Sequence, residues 1–155
     1  MPTMPASVSE FLAGKRFAVT GVSRQPNQPA NAIFKKLRDS GFEVFPINPN
    51  ATELEGATCY PDLAAVPGPI DGVVVATHPR VALQVVRQCA EKGVRQVWFH
   101  RSFGEGSVDA GAVRECAARN IKCIIGGCPL MYCEPVDPAH RCFRWLLGVG
   151  GRLPR

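Results

Sequence analysis

The sequence predicts an α/β domain built on a doubly wound, mostly parallel sheet with helices on both faces. Three observations carry that prediction. Short β-branched runs alternate with apolar stripes at helical spacing, the runs have the length of buried strands, and a chain of 155 residues suits one core. Parallel neighbours need crossover connections, and helices are the usual ones.

The strand-like runs are Arg16 to Val22, Phe42 to Ile47, Gly72 to Thr77, Arg95 to Phe99 and Ile121 to Ile125. After the first, Ala30, Ile33, Phe34 and Leu37 recur on one helix face, and Gly41 stops that helix. Arg80 to Lys92 forms the next helix, with Val81, Ala82, Val85, Val86 and Cys89 on its apolar side, Pro79 in its first turn and Gly93 at its end. A further helix runs from Val108 to Arg119, with Ser107 as N-cap and Asn120 closing it in the left-handed conformation. Leu54 to Ile70 breaks the rhythm with Gly56, Pro61, Pro67, Gly68 and Pro69. It reads as a short edge strand at Ala57 to Tyr60 and one helical turn at Asp62 to Val66. The domain is expected over residues 1–136. Residues 137–155 form a basic tail, in which Phe143, Trp145, Leu146 and Leu147 build a docking helix or contribute to a homodimer contact.

Composition narrows the function classes. The chain is 46% hydrophobic and 20% charged, as in ordinary globular proteins. It shows no signal-peptide pattern and no run of apolar residues long enough to span a membrane. Seven cysteines without an export signal are expected to be reduced thiols of a cytoplasmic protein. A net charge of +5 favours a polyanionic ligand. The basic residues are dispersed, without the blocks and aromatic platforms of nucleic-acid binders, so no nucleic acid is expected.

In an open doubly wound sheet, ligands bind beyond the carboxyl ends of the strands, so the residues just after each strand are the informative ones. The first run ends in Gly21, Val22, Ser23 and Arg24, ahead of a Pro- and Asn-rich loop and a helix. Glycine admits a phosphate to the backbone, a serine hydroxyl bonds it, a helix N-terminus favours its charge, and arginine adds a forked contact. The same residues also make an ordinary tight turn. A dinucleotide fingerprint needs three glycines, and here Ser23 and Pro26 stand in the second and third places, which disfavours NAD. The second run ends in Asn48 and Pro49, with no carboxylate for a ribose. A neutral amide tolerates a phosphorylated ribose that an aspartate would repel, although Asn-Pro also ends strands without any ligand.

The segments Gly21-Val22-Ser23-Arg24, Val44-Phe45-Pro46-Ile47-Asn48-Pro49, Gly56 through Cys59-Tyr60-Pro61-Asp62-Leu63, and Cys128-Pro129 resemble the small stand-alone CoA-binding proteins. These in turn are similar to the N-terminal domain of the succinyl-CoA synthetase alpha subunit. The likeness covers about Val8 to Glu134. It implies a Rossmann-like domain that binds coenzyme A, with Gly21, Val22, Ser23 and Arg24 at the diphosphate, Asn48 and Pro49 at the adenosine, and Thr77, His78 and Pro79 beside the pantetheine arm. Family members often carry a lysine where this chain has Asn50, leaving Lys35, Lys36 or Arg80 to supply the charge.

His78 and His100 both follow strands and are candidates for acid–base work, yet neither has an evident nucleophile or carboxylate partner. Cys123, Cys128, Cys133, His140 and Cys142 are spaced too irregularly for a structural zinc site, so no metal is expected. Cys128 follows the last strand on the ligand edge and is a candidate to meet the CoA thiol, although a small buried hydrophobe is the favoured reading of that position. The function expected is therefore a CoA or acyl-CoA binding module without independent catalysis. The alternatives are an NADP-type oxidoreductase or acyl-CoA-transforming enzyme, and a regulatory or scaffold protein with a vestigial nucleotide pocket.

Overall fold

The computed structural model describes residues 3–101 and 106–154. Each β-branched run forms a strand of the central sheet: β1 (Arg16–Thr20), β2 (Glu43–Ile47), β5 (Gly72–Val75), β6 (Gln96–Phe99) and β7 (Lys122–Ile125). All pair in parallel, in the order β2-β1-β5-β6-β7. The chain therefore builds outward from β1 to β2 and then crosses back to place β5 on the other side of β1. That reversal opens a crevice between the carboxyl ends of β1 and β5.

Alternating side chains feed two cores, one on each face of the sheet. Phe17, Val19, Val74 and Trp98 point into one, and Ala18, Val73, Val75, Val97 and Phe99 into the other. The first face is covered by α2 (Pro29–Asp39), through Ile33, Phe34 and Leu37. The second is covered by α3 (Pro79–Lys92) and α4 (Ala110–Ala118), through Ala82, Val86, Cys89, Ala112 and Cys116. The doubly wound α/β architecture is thus the one expected. Gly93 closes α3 at φ 81°, where a side chain would be strained.

Several local expectations need correction. A helix not anticipated from the sequence, α1 (Ala6–Leu12), buries Val8 and Phe11. The Phe11 ring stacks on Phe17 at 5.0 Å and meets Trp98 edge-on at 5.5 Å. Residues Ala57–Thr58 (β4) pair antiparallel with Glu53–Leu54 (β3) as a separate hairpin, and only Tyr60 reaches the main sheet, through a parallel bridge to Ile47. Asp62 to Val66 is a turn and not a helix. Asp62 Oδ1 accepts from the Ala65 N–H, and the following Pro67, Gly68 and Pro69 give a helix nothing to propagate through. The N-cap of α4 is Asp109, whose carboxylate accepts from Ala112 N–H at 2.8 Å, whereas Ser107 is buried and donates its N–H to the His100 carbonyl. Val81, expected on the apolar side of α3, is 42% exposed because it borders the crevice.

The tail forms α5 (Pro138–Val149), capped by Asp137. It docks through Leu147 and Arg144, the latter stacked over the Tyr132 ring at 4.6 Å, while Trp145 and Leu146 remain exposed, contrary to expectation. A long amphipathic helix buries one stripe only, and Trp145 and Leu146 lie off it. Among the described residues no helix is long and apolar enough to cross a membrane.

One contact holds the crevice open at its base. Gly21 adopts φ +90°, and a Cβ there would lie 2.4 Å from the Ala76 carbonyl oxygen. Gly21→Ala is expected to cost roughly 3 kcal/mol or more, since backbone strain and a clash with a neighbouring main chain add. Chemical denaturation measures this; a midpoint within error of wild type would mean that the two segments move apart freely.

Candidate functional site

The crevice is a cleft of about 600 Å³, within the usual range for small-molecule sites. Its floor is the end of β1 and the loop after it, Thr20, Gly21, Val22 and Ser23; one wall is Ile47, Asn48 and Pro49 after β2. The other wall is Thr77 with Val81, Gln84, Val85 and Gln88 of α3, and Pro61 and Asp62 close one end. Six sequence-derived candidates are therefore brought together: Gly21, Val22, Ser23, Asn48, Pro49 and Thr77.

The remaining candidates lie elsewhere. Arg24 borders an adjoining hollow that shares Pro49 and Pro61 with the cleft. His78 is exposed and caps α3, its Nδ1 accepting from Arg80 N–H at 3.2 Å, and Pro79 is the first residue of that helix. Cys128 is 2% exposed and packs in the apolar cluster with Trp98, Met131 and Tyr132. Its thiol is not on the cleft wall, so its placement matches the buried-hydrophobe reading and not contact with a ligand thiol.

A residue the sequence reading passed over organises the floor. Asn31, fully buried in α2, accepts from Ser23 N–H through Oδ1 at 2.9 Å and donates through Nδ2 to the Ser23 carbonyl at 2.7 Å. The same Nδ2 donates to Glu55 Oε1 in the β3–β4 hairpin at 2.8 Å. A polar side chain within the stripe Ala30, Ile33, Phe34 and Leu37 was the available signal, because buried amides are retained where they are hydrogen-bonded. Asn48 acts similarly. Its Nδ2 donates to the Val22 carbonyl at 2.9 Å and its Oδ1 accepts from Asn50 N–H at 2.8 Å, which ties the two ligand-edge loops together. Ser23 Oγ accepts from Gln25 N–H at 3.0 Å and keeps its own proton to donate.

Thr77 brings an unsatisfied polar group to the cleft wall. Its Oγ1 is buried at the cleft with no hydrogen-bond partner among the described residues. An orphaned buried hydroxyl costs about 1–3 kcal/mol, which a hydrogen bond from a water or a ligand would offset. The titratable side chain on the cleft wall is Asp62, whose Oδ1 is already engaged by the Ala65 N–H.

The histidine expected to share this edge, His100, does not line the cleft. Burial, reinforced by the nearby positive charge of His140, pushes its pKa down to about 4. The unfolded chain takes up this proton near pH 6.5 and the folded one only near 4, so the folded state loses stability as pH falls across that window. His100 is expected to titrate near pH 4 by NMR, and His100→Asn to flatten the acid limb of a stability–pH profile. A midpoint near 6.5 would show an exposed ring.

Cys123, read from the sequence as a buried strand residue, is partly buried, and its thiolate accepts a hydrogen bond from the Cys116 thiol. That bond lowers its pKa to about 7 against the opposing effect of burial, while Cys116 is raised. With exposed Cys142 replaced by serine, iodoacetamide is expected to label Cys123 first, at a rate rising through pH 7 as thiolate forms. Faster labelling of Cys128 or Cys89 would contradict this.

Comparison with known proteins places the chain in a family. A family model described as a CoA-binding domain matches residues 15–134. The ADP-forming acetate–CoA ligase of Methanocaldococcus jannaschii is 32% identical over 118 residues, which cover 74% of this chain and 17% of the ligase. An Archaeoglobus fulgidus ligase of the same description is 32% identical over 83 residues, 52% of this chain and 12% of that one. The chain thus spans only a small part of these ligases. YneT of Bacillus subtilis, an uncharacterized protein, is 37% identical over 99 residues, covering 63% of this chain and 73% of its own. Among solved structures, a hypothetical protein from Pyrococcus horikoshii superposes with a TM-score of 0.73 at 27% identity, covering 83% of this chain and 92% of that one. The dinucleotide-forming acetyl-coenzyme A synthetase 1 of Ca. Korarchaeum cryptofilum gives 0.63 at 28% identity, over 71% of this chain and 25% of that one. The family match runs from β1 through β7 and so takes in every residue that lines the cleft, and the protein belongs to the CoA-binding domain family.

Proposed function

We propose that this chain is a CoA or acyl-CoA binding module that acts without catalysis of its own. The observation that carries the reading is the cleft at the β1–β5 reversal, with the unpartnered Thr77 hydroxyl buried in its wall. The residues present fit the ligand. Gly21 brings main chain to the floor where a phosphate needs close approach, and Ser23 has a proton to donate there. The apolar faces of Val22, Ile47, Val81 and Val85 suit the uncharged parts of the molecule, and Thr77 with Gln84 and Gln88 suits the amides of a pantetheine arm. The thioester or thiol chemistry belongs to the ligand itself. The chain's own residues bind and orient it, since neither histidine near this edge borders the cleft and Asp62 is spent on a turn.

The missing glycines of a dinucleotide fingerprint support CoA over NAD. In calorimetric titration CoA is expected to bind at least about tenfold more tightly than NAD, a difference near 1.4 kcal/mol. Ser23→Glu, which sets a carboxylate against the phosphates, is expected to abolish binding while the melting temperature stays close to wild type. Equal affinities for the two cofactors, or full CoA binding by Ser23→Glu, would remove the reading.

A further inference from the structure

We infer that Cys123 is a site of reversible oxidation by a small hydroperoxide, and that Cys116 resolves the oxidised sulfur as an intramolecular disulfide. The inference does not depend on CoA as ligand. Cys123 lies on β7, the edge strand at the far side of the sheet from β2, and it does not border the cleft. Cys116 lies near the end of α4. After the helix the chain turns through Asn120, at φ 54°, and Ile121 N–H donates back to the Cys116 carbonyl at 2.9 Å. This tight return lays β7 against the helix end. Both side chains join the apolar cluster between the sheet and α3 and α4, where the Cys116 thiol donates to Cys123.

The two sulfurs differ in access. Cys116 is fully buried, whereas Cys123 lines an open hollow of about 350 Å³ together with Arg101 and Arg152. An oxidant from solvent therefore meets Cys123 first and reaches Cys116 only through it. The reacting species is a thiolate, which the hydrogen bond from Cys116 favours at Cys123. Burial works against it at Cys89, whose pKa is pushed up to about 12, and at Cys59 and Cys133. In the first step the Cys123 thiolate attacks one peroxide oxygen: an S–O bond forms, the O–O bond breaks, and the leaving oxygen takes a proton from solvent, with guanidinium donors beside it. In the second, the Cys116 sulfur attacks the sulfenic sulfur of Cys123. An S–S bond forms, the S–O bond breaks, and the Cys116 proton leaves with the hydroxyl as water. The two thiols give up two electrons and the peroxide receives them. A small thiol reductant restores both cysteines by exchange, entering at the accessible Cys123 sulfur.

The test uses the full chain carrying Cys142→Ser, so that the exposed thiol does not compete. A stoichiometric amount of hydrogen peroxide is expected to lower the intact mass by that of the two thiol hydrogens, and peptide mapping to find Cys116 bonded to Cys123. Dithiothreitol should restore the starting mass. Adding Cys123→Ser is expected to abolish the reaction. Adding Cys116→Ala is expected to stop it at a sulfenic acid that dimedone traps on Cys123, formed about three- to tenfold more slowly because the hydrogen bond that favours the thiolate is gone. Mapping in the Cys142→Ser parent decides the outcome even where a core variant fails to fold. A sulfenic acid that persists at Cys123 in that parent overturns the inference, as does a bond from Cys116 to its neighbour Cys89. Survival of all thiols under peroxide overturns it as well.

Discussion

The rest of the structure depends on how closely the loop after β1 runs to the end of β5. At Gly21 the main chain passes so near the Ala76 carbonyl that no side chain fits between them, and the backbone takes a left-handed value that other residues resist. This contact lies where the order of strands reverses, so it sets both the width of the cleft and the height of its floor. Because β1 pairs with β2 on one side and β5 on the other, a shift of the loop would move both walls at once.

Buried amides turn that close approach into a preformed surface. Asn31 clamps both main-chain groups of Ser23 and reaches the β3–β4 hairpin, while Asn48 joins the end of β2 to the Val22 carbonyl. Each bond is modest alone, about 1 kcal/mol net, but an unpaired amide at Asn31 would be costly because it is fully enclosed. These bonds join the loop, the hairpin and the end of β2 into one hydrogen-bonded surface. A ligand that meets this floor gives up little to ordering, which is the benefit of preorganisation.

The charges are arranged differently from the hydrogen bonds. Basic residues that pair do so away from the cleft, as Arg16 does with Glu43 and Lys122 with Glu10, and these exposed pairs contribute little to stability. The cleft itself is neutral apart from Asp62, and the positive residue at its margin is Arg24. The cleft thus offers close backbone approach, neutral donors and apolar walls, with a positive charge at one margin.

By itself the sequence determined the alternation of strands and helices, the crossovers and hence the parallel doubly wound sheet, because the periods of 2 and 3.6 are local and survive in one dimension. It also marked Gly21, Ser23, Asn48 and Pro49, which follow strands in such a sheet, and the family resemblance added Thr77; all five line the cleft. Only the tertiary structure decided which polar groups were spent and which were left over. Asn31 stood in an apolar stripe, and its bonds to Ser23 and Glu55 join residues that no local pattern connects. Cys128 followed a strand as a site residue would, yet the packing of Trp98, Met131 and Tyr132 enclosed it. Helix α1 showed no periodicity beyond Val8 and Phe11, and it exists because Phe17 and Trp98 offer those two side chains a surface. Local spacing records which face a residue takes, whereas burial, partnership and exposure come from segments distant in sequence that meet only when the chain folds.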